Sequence, residues 1–234
     1  VHKGQPSEIQ VAVDDLVRQA EADKFQLNES KCKELQISFS RTADPLESVT
    51  INSKPIDVVS SAKLLGLTIS NNLKWNAHIE NVTKKGASRL YLLRQLKRAN
   101  ADPNQLVCFY VTCIRPVTEY ACQVFHDCLP QYLSEDLERI QRRALKIIFP
   151  DLDYTTALDV CNLTTLYQRR KQLTERLFKE INDKNDHRLH SLLPPRNTSE
   201  ITLRRRRAYN VPICRTNRFK QSFIMYNSTK LYNS

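Results

Sequence analysis

Glycine is nearly missing from this chain, with 3 residues in 234 against 10 prolines. So little glycine leaves few positions free for left-handed turns and no material for a Gly-rich phosphate cradle of the Walker or Rossmann kind. The expectation is helices joined by proline-punctuated loops. At 41% hydrophobic composition the chain can bury a sizeable core, as one large domain or two small ones. The longest apolar runs are only a few residues, so no segment is expected to span a bilayer. The N-terminus also lacks the apolar core of a signal peptide. These features point to an intracellular protein of the cytoplasm or nucleus.

Seven cysteines, Cys32, Cys108, Cys113, Cys122, Cys128, Cys161 and Cys214, form no close CxxC pair. A disulfide framework or metal site is not expected. Cys108, Cys113 and Cys122 fall among apolar residues, where a free thiol serves as a small core side chain. His126 and Cys128 stand close together, but a zinc site needs a second pair that the sequence does not supply.

The net charge of +11 is unevenly placed. Residues 1–70 carry 8 basic and 10 acidic side chains, 71–150 carry 12 and 7, 151–200 balance at 8 and 8, and 201–234 carry 8 and none. That asymmetry points to a polyanionic partner, most simply nucleic acid: RNA, DNA or an RNA–DNA hybrid. A membrane partner is not expected, because the basic tail lacks the bulky apolar stripe of an interfacial helix.

Ser7 with Gln10 reads as a capping box, and Ile9, Val13, Leu16, Val17 and Ala20 recur at helical spacing, giving a helix over about 7–22. Alternation at Leu35, Ile37 and Phe39 predicts a half-buried strand, and 49–51 and 63–69 read as further short strands, with Gly66 at a bulge or close approach. From Trp75 the period is helical, with Ile79, Val82, Gly86, Leu90 and Leu93 on one stripe and Lys84, Lys85, Arg89 and Arg98 outside it. Pro103, Pro116 and Pro130 bracket two shorter apolar helices. Ser134, Glu135 and Asp136 open another, which buries Leu137, Ile140, Ala144, Ile147 and Ile148 and turns Arg139, Arg142, Arg143 and Lys146 together to the opposite face. A further helix over about 165–182 points Leu166, Leu173, Leu177 and Ile181 inward. Beyond Pro194 and Pro195 the chain reads as a basic, β-leaning tail.

Adjacent aspartates after an apolar residue, as in Val13-Asp14-Asp15, can hold the metals of a polymerase, but here they lie inside a helix and off its apolar stripe, so they read as solvated surface. The four cations over 139–146 are costly to gather on one face unless an anion is bound. Arg204, Arg205, Arg206 and Arg207 fit a nuclear-import signal or a phosphate-gripping strand.

Taken in order, several stretches resemble the reverse transcriptases of non-LTR retrotransposons, of the jockey-like and CR1-like kind. They are residues 27–34, 63–69, Trp75-Asn76-Ala77-His78-Ile79, Arg89-Leu90-Tyr91-Leu92-Leu93-Arg94, Ile114-Arg115-Pro116-Val117-Thr118-Glu119-Tyr120-Ala121, Ile140-Gln141-Arg142-Arg143-Ala144-Leu145-Lys146-Ile147-Ile148, and the tail segments at 215–218 and 222–224. The resemblance implies an α+β, mostly α chain: a small antiparallel palm remnant over 1–70, a helical thumb over 71–150, and a helical C-terminal extension with a basic tail over 151–234. It implies primer-grip-like residues at Leu64, Leu65, Gly66 and Leu67. It also implies phosphate contacts from Lys84, Lys85, Arg89, Arg94, Lys97, Arg98, Arg139, Arg142, Arg143, Lys146 and Arg204 to Arg207. The family's catalytic aspartates would lie upstream, so the chain alone is expected to be inactive, with no catalytic or metal-binding residue and no cofactor of its own. Mg2+ belongs to the complete parent enzyme.

A helical scaffold whose basic surface meets an acidic protein is the alternative reading. Retroelement segments of this kind also resemble a short domain named after the N-terminus of an AlkB-like alkylation-repair dioxygenase. That chemistry needs a His-x-Asp pair and a distant His for iron, and His2, His78, His126, His187 and His190 do not supply the arrangement.

Overall fold

The structure, a computed structural model, describes residues 8–39, 48–198 and 207–231. The chain is mostly helical with a few small sheets and divides into two compact units, Val1–His78 and Ile79–Ser234.

The first unit contains helix α1 (Ile9–Ala22) and strands β1 (Lys33–Glu34), β2 (Thr50–Ile51), β3 (Lys54–Pro55), β4 (Asp57–Val58), β5 (Ser61–Leu64) and β6 (Leu67–Ser70). These strands form three separate pairs: β1 with β4 in parallel, and β2 with β3 and β5 with β6 antiparallel. The α1 helix buries no residue, and Ile9 and Leu16 of its expected stripe are exposed. Ser7 lies outside the described residues, and Glu8 at the helix start makes no side-chain cap. Gln10 works differently from a capping residue. Its Oε1 accepts from the Thr50 amide and its Nε2 donates to the Thr50 carbonyl, both at 2.9 Å, fastening α1 to β2. Asp14 and Asp15 are exposed, and Asp15 pairs with Arg18.

None of residues 35–39 lies in a strand: the pairing ends with the two-residue β1 just before them, and Ile37 and Phe39 are exposed. Alternation alone does not make a strand where the partner, β4, is itself two residues long. Residues 63–69 are a hairpin rather than one bulged strand. Leu64 pairs with Leu67, and Leu65 (φ 46°) and Gly66 (φ 87°) form the turn. Two consecutive positive φ values match the right-handed twist of the strands.

The second unit packs α2 (Asn76–Arg98), α3 (Pro103–Phe109), α4 (Arg115–Glu119), α5 (Gln131–Ile148), α6 (Tyr154–Val160), α7 (Leu166–Asp183), α8 (Asn217–Lys220) and α9 (Phe223–Lys230). The expected stripe of α2 is the buried one: Ile79, Val82, Gly86, Leu90 and Leu93 all face inward. Gly86 permits close approach to α5, since a Cβ at that position would lie 3.2 Å from Ile140 Cγ2. Leu90 and Leu93 meet Leu106, Tyr110, Ile140 and Ile148 in the main core.

Pro116 does not end a helix. It sits in the first turn of α4, where its missing N–H costs nothing, after a widened turn over Tyr110–Ile114. Cys122 is buried, with its thiol pKa pushed up to about 11 chiefly by desolvation, whereas Cys108 is exposed and so is not the core residue expected. The tail holds no helix over 208–216, where Tyr209 forms an isolated antiparallel bridge with Arg196, and turns helical only from Asn217, where Thr216 caps α8 by accepting from the Phe219 amide. Phe223 of α9 packs with Phe178, Ala208 and Tyr209 in a second cluster. No helix among the described residues is long and apolar enough to cross a membrane.

Candidate functional site

The α5 helix begins at Gln131, three residues before the expected cap, with Pro130 at the N-cap. Ser134 is therefore a helical residue. Leu133, Leu137, Ile140, Ala144, Leu145 and Ile148 are buried, and Arg139, Arg142, Arg143 and Lys146 are exposed on the opposite face. Asp136 shares that outer face and pairs with Arg139 at 3.0 Å, so the face is less uniformly basic than the sequence suggested. Among the described residues no carboxylate forms an ion pair with Arg142, Arg143 or Lys146.

These three cations surround one hollow of about 340 Å³, together with Leu152, Asp153, Tyr154 and Ala157. The Arg142 guanidinium lies over the Tyr154 ring, 5.3 Å from its centroid, and Lys146 donates to the Pro150 carbonyl at 2.5 Å. Asp153 is the one acid at the rim. Hydrogen bonds from Thr155 and then Thr156 hold its carboxyl down at about 2, so it stays ionised, with its oxygens engaged at the start of α6.

Tyr154 is fixed from behind by a buried polar network. Its hydroxyl donates to Glu138 and accepts from Gln141 Nε2 at 2.8 Å. Gln141 also donates to the Thr164 carbonyl at 3.0 Å and accepts from the Tyr110 hydroxyl. Desolvation, followed by the bond to Glu138, raises the Tyr154 phenol above its usual range. Glu138 in turn accepts the amides of Leu166 (3.1 Å) and Tyr167 (3.2 Å) at the start of α7. The Thr165 hydroxyl takes the next amide, that of Gln168, in a capping box. A carboxylate at a helix N-terminus both satisfies orphan donors and meets the positive end of the macrodipole.

The remaining expected residues are dispersed. On α2, Lys84 pairs with Glu80 at 2.6 Å and Arg89 donates to the Cys113 carbonyl. Lys97 donates to the Ile148 carbonyl at 3.1 Å, capping the last turn of α5. Lys85 and Arg98 are exposed and Arg94 is half-buried. Arg207 is exposed, while Arg204, Arg205 and Arg206 lie outside the described residues. Leu64, Leu65, Gly66 and Leu67 form the hairpin tip of the first unit. His126 and Cys128 do not converge: Cys128 Sγ bonds the Phe125 carbonyl, and His126 stacks at a tilt on Tyr167 with centroids 5.1 Å apart. Among the described residues no group of three or more His, Cys, Asp or Glu side chains could hold a metal ion.

Sequence reasoning placed Leu166 and Ile181 on the inner face of α7 but missed Arg170, which is fully buried beside them. It also missed Tyr154, Glu138 and Gln141. Glu138 and Gln141 read as surface residues by type, yet they fall on the same helical stripe as Leu137 and Ile140, and that was the available signal.

One sequence family, described as alkylated DNA repair protein alkB homolog 8, N-terminal, matches residues 75–115, well under half of the chain. No curated protein matches, and no solved structure matches. The match covers two of the stretches on which the reverse-transcriptase resemblance rested, Trp75 to Ile79 and Arg89 to Arg94, and it is to a different family. It overturns the reading of the chain as a retrotransposon polymerase fragment with a thumb. Among the described residues the small sheets are likewise three isolated pairs, and nothing in them identifies a polymerase palm.

Proposed function

We propose that the second unit is a nucleic-acid-binding helical module whose contact surface is the C-terminal half of the outer face of α5. One observation carries this reading. Arg142, Arg143 and Lys146 converge with Tyr154 around a single hollow, and among the described residues no carboxylate ion-pairs with any of the three. Unneutralised cations around an apolar, aromatic-walled depression suit a polyanion that also carries flat apolar groups. The matched family is named for alkylated-DNA repair, which supports a nucleic-acid partner for the 75–115 segment. The exposed Lys85 and Arg98 add long-range attraction.

A purely structural account covers part of the same pattern. Acids at Glu135 and Asp136 and cations toward the other end of α5 complement its macrodipole, and Lys97 and Lys146 serve carbonyls at that end. Arg142 and Arg143 bond none of those carbonyls, so this account does not explain them.

The test is fluorescence anisotropy of labelled RNA and DNA across a salt series, comparing the chain with a variant carrying Arg142→Glu, Arg143→Glu and Lys146→Glu. The expected result is affinity that falls steeply with salt, with a log–log slope of about −0.7 to −0.9 per phosphate contact, and loss of binding in the variant at unchanged helical content. Equal binding by the two proteins, or none by the wild type at low salt, defeats the reading.

A further inference from the structure

The hollow beside α5 is smaller than a nucleic-acid strand and larger than a phosphate needs, and its lining is not that of an ion site. Its volume, about 340 Å³, sits at the low end of the roughly 300–1,000 Å³ typical of small-molecule sites. Leu152, Ala157 and the Tyr154 ring supply apolar and aromatic surface, while Arg142, Arg143 and Lys146 stand at the same hollow. From these residues we infer that the hollow receives one unstacked base of a single-stranded nucleic acid, with the flanking phosphates held by Arg143 and Lys146. This rests on the nucleic-acid reading above and sharpens it.

Two physical points favour a single strand over a duplex. The bases of a duplex are stacked on one another, so their faces are hidden and only edges and phosphates are on offer. An unstacked base presents a flat apolar face, which aromatic rings and guanidinium planes bind with little regard to sequence. Here the two platforms are already joined, the Arg142 guanidinium lying over Tyr154. The second point is rigidity. The Tyr154 hydroxyl is held by Glu138 and Gln141, and the ring sits on the residue that starts α6, so little side-chain freedom remains to be lost on binding. Asp153 is the one opposing charge at the rim, and its carboxylate oxygens are engaged by the Thr155 and Thr156 amides.

The experiment titrates the full chain with three labelled probes of equal length: a single strand, the same strand with abasic residues throughout, and a blunt duplex, each as RNA and as DNA. The intact single strand is expected to bind about tenfold more tightly than the abasic strand, the size of one base–aromatic contact, and more tightly than the duplex. A 2-aminopurine placed in the strand is expected to lose fluorescence on binding, as a stacked base does. If intact, abasic and duplex probes bind equally and the triple Glu variant loses all three, the phosphate surface stands and the base hollow is overturned. If no probe binds, both readings fail together.

Discussion

From α7, Arg170 donates a hydrogen bond to the hydroxyl oxygen of Ser134 on α5 at 2.7 Å. The Arg170 side chain is completely out of solvent, and its Nε and Nη1 have no hydrogen-bond partner among the described residues. Desolvation depresses its pKa, opposed first by the charge of Glu138. The two charges are not equally dependent on each other. Glu138 keeps Tyr154 and two α7 amides if Arg170 is removed, but Arg170 loses the largest of its opposing charges if Glu138 is removed. Glu138→Ala is therefore expected to cost about 3–5 kcal/mol, the range for stranding a buried charge, and Arg170→Met, which keeps the aliphatic stem, much less. Urea unfolding followed by circular dichroism measures both. Equal losses would show that Glu138 depends on Arg170 as much as the reverse.

Gly86 makes the crossing of α2 and α5 close, and added volume has nowhere to go but into Ile140. Gly86→Leu is expected to destabilise the second unit by about 1–3 kcal/mol through overpacking. Gly86→Ala sets a helix-propensity gain of about 1 kcal/mol against the 3.2 Å contact, and is expected to stay within a fraction of that of the parent. A melt of each variant compares them.

His126 is held well below its ordinary 6.5, at about 4, by desolvation and then by the nearby Arg170, Lys230 and Lys171. Between these values the unfolded chain takes up a proton that the folded chain refuses. Stability from this residue is complete above pH 6.5, falls as pH drops toward 4, and levels off below. Unfolding midpoints at pH 7.5, 6, 5 and 4 are expected to decline less steeply for His126→Phe than for the parent chain. An identical decline would mean that the imidazole titrates normally.

Lys97 and Arg143 are both cations near α5 and are expected to respond oppositely. Lys97→Ala removes the bond to the Ile148 carbonyl and is expected to cost about 1 kcal/mol of stability with little change in nucleic-acid affinity. Arg143→Ala removes an exposed cation with no ion pair among the described residues, and is expected to leave stability within about 0.5 kcal/mol while lowering the salt slope by close to one contact. Paired anisotropy and melting measurements separate the two roles.

The helical half of this chain was legible because its information is periodic. The α2 stripe from Ile79 to Leu93 and the α5 stripe from Leu137 to Ile148 are each set by side chains 3 and 4 apart, and both are buried. Short strands carry no such redundancy. Leu35, Ile37 and Phe39 alternate as a strand would, but alternation says nothing of whether a neighbour exists to pair with, and Ile37 and Phe39 are exposed. Boundaries failed where one residue type serves two ends. Ser134 reads as a cap because serine accepts amide hydrogens well, while in the fold its hydroxyl accepts from Arg170 instead. The outer cations of α5 could be named from spacing. Their meeting with Tyr154 could not, because it depends on how the chain turns between Phe149 and Asp153.

The starts of α6 and α7 are closed from within. Asp153 takes the Thr155 and Thr156 amides, and Glu138 and Thr165 take the first three of α7. An anion arriving at this part of the surface finds no outward-facing backbone cup of the kind that clasps phosphate in a fixed pose. It meets long, jointed arms instead, which can follow a moving charge but impose little angle on it. On the proposed reading, recognition built that way is forgiving: it suits many strands in many registers, and any discrimination among them has to come from what fits between the arms.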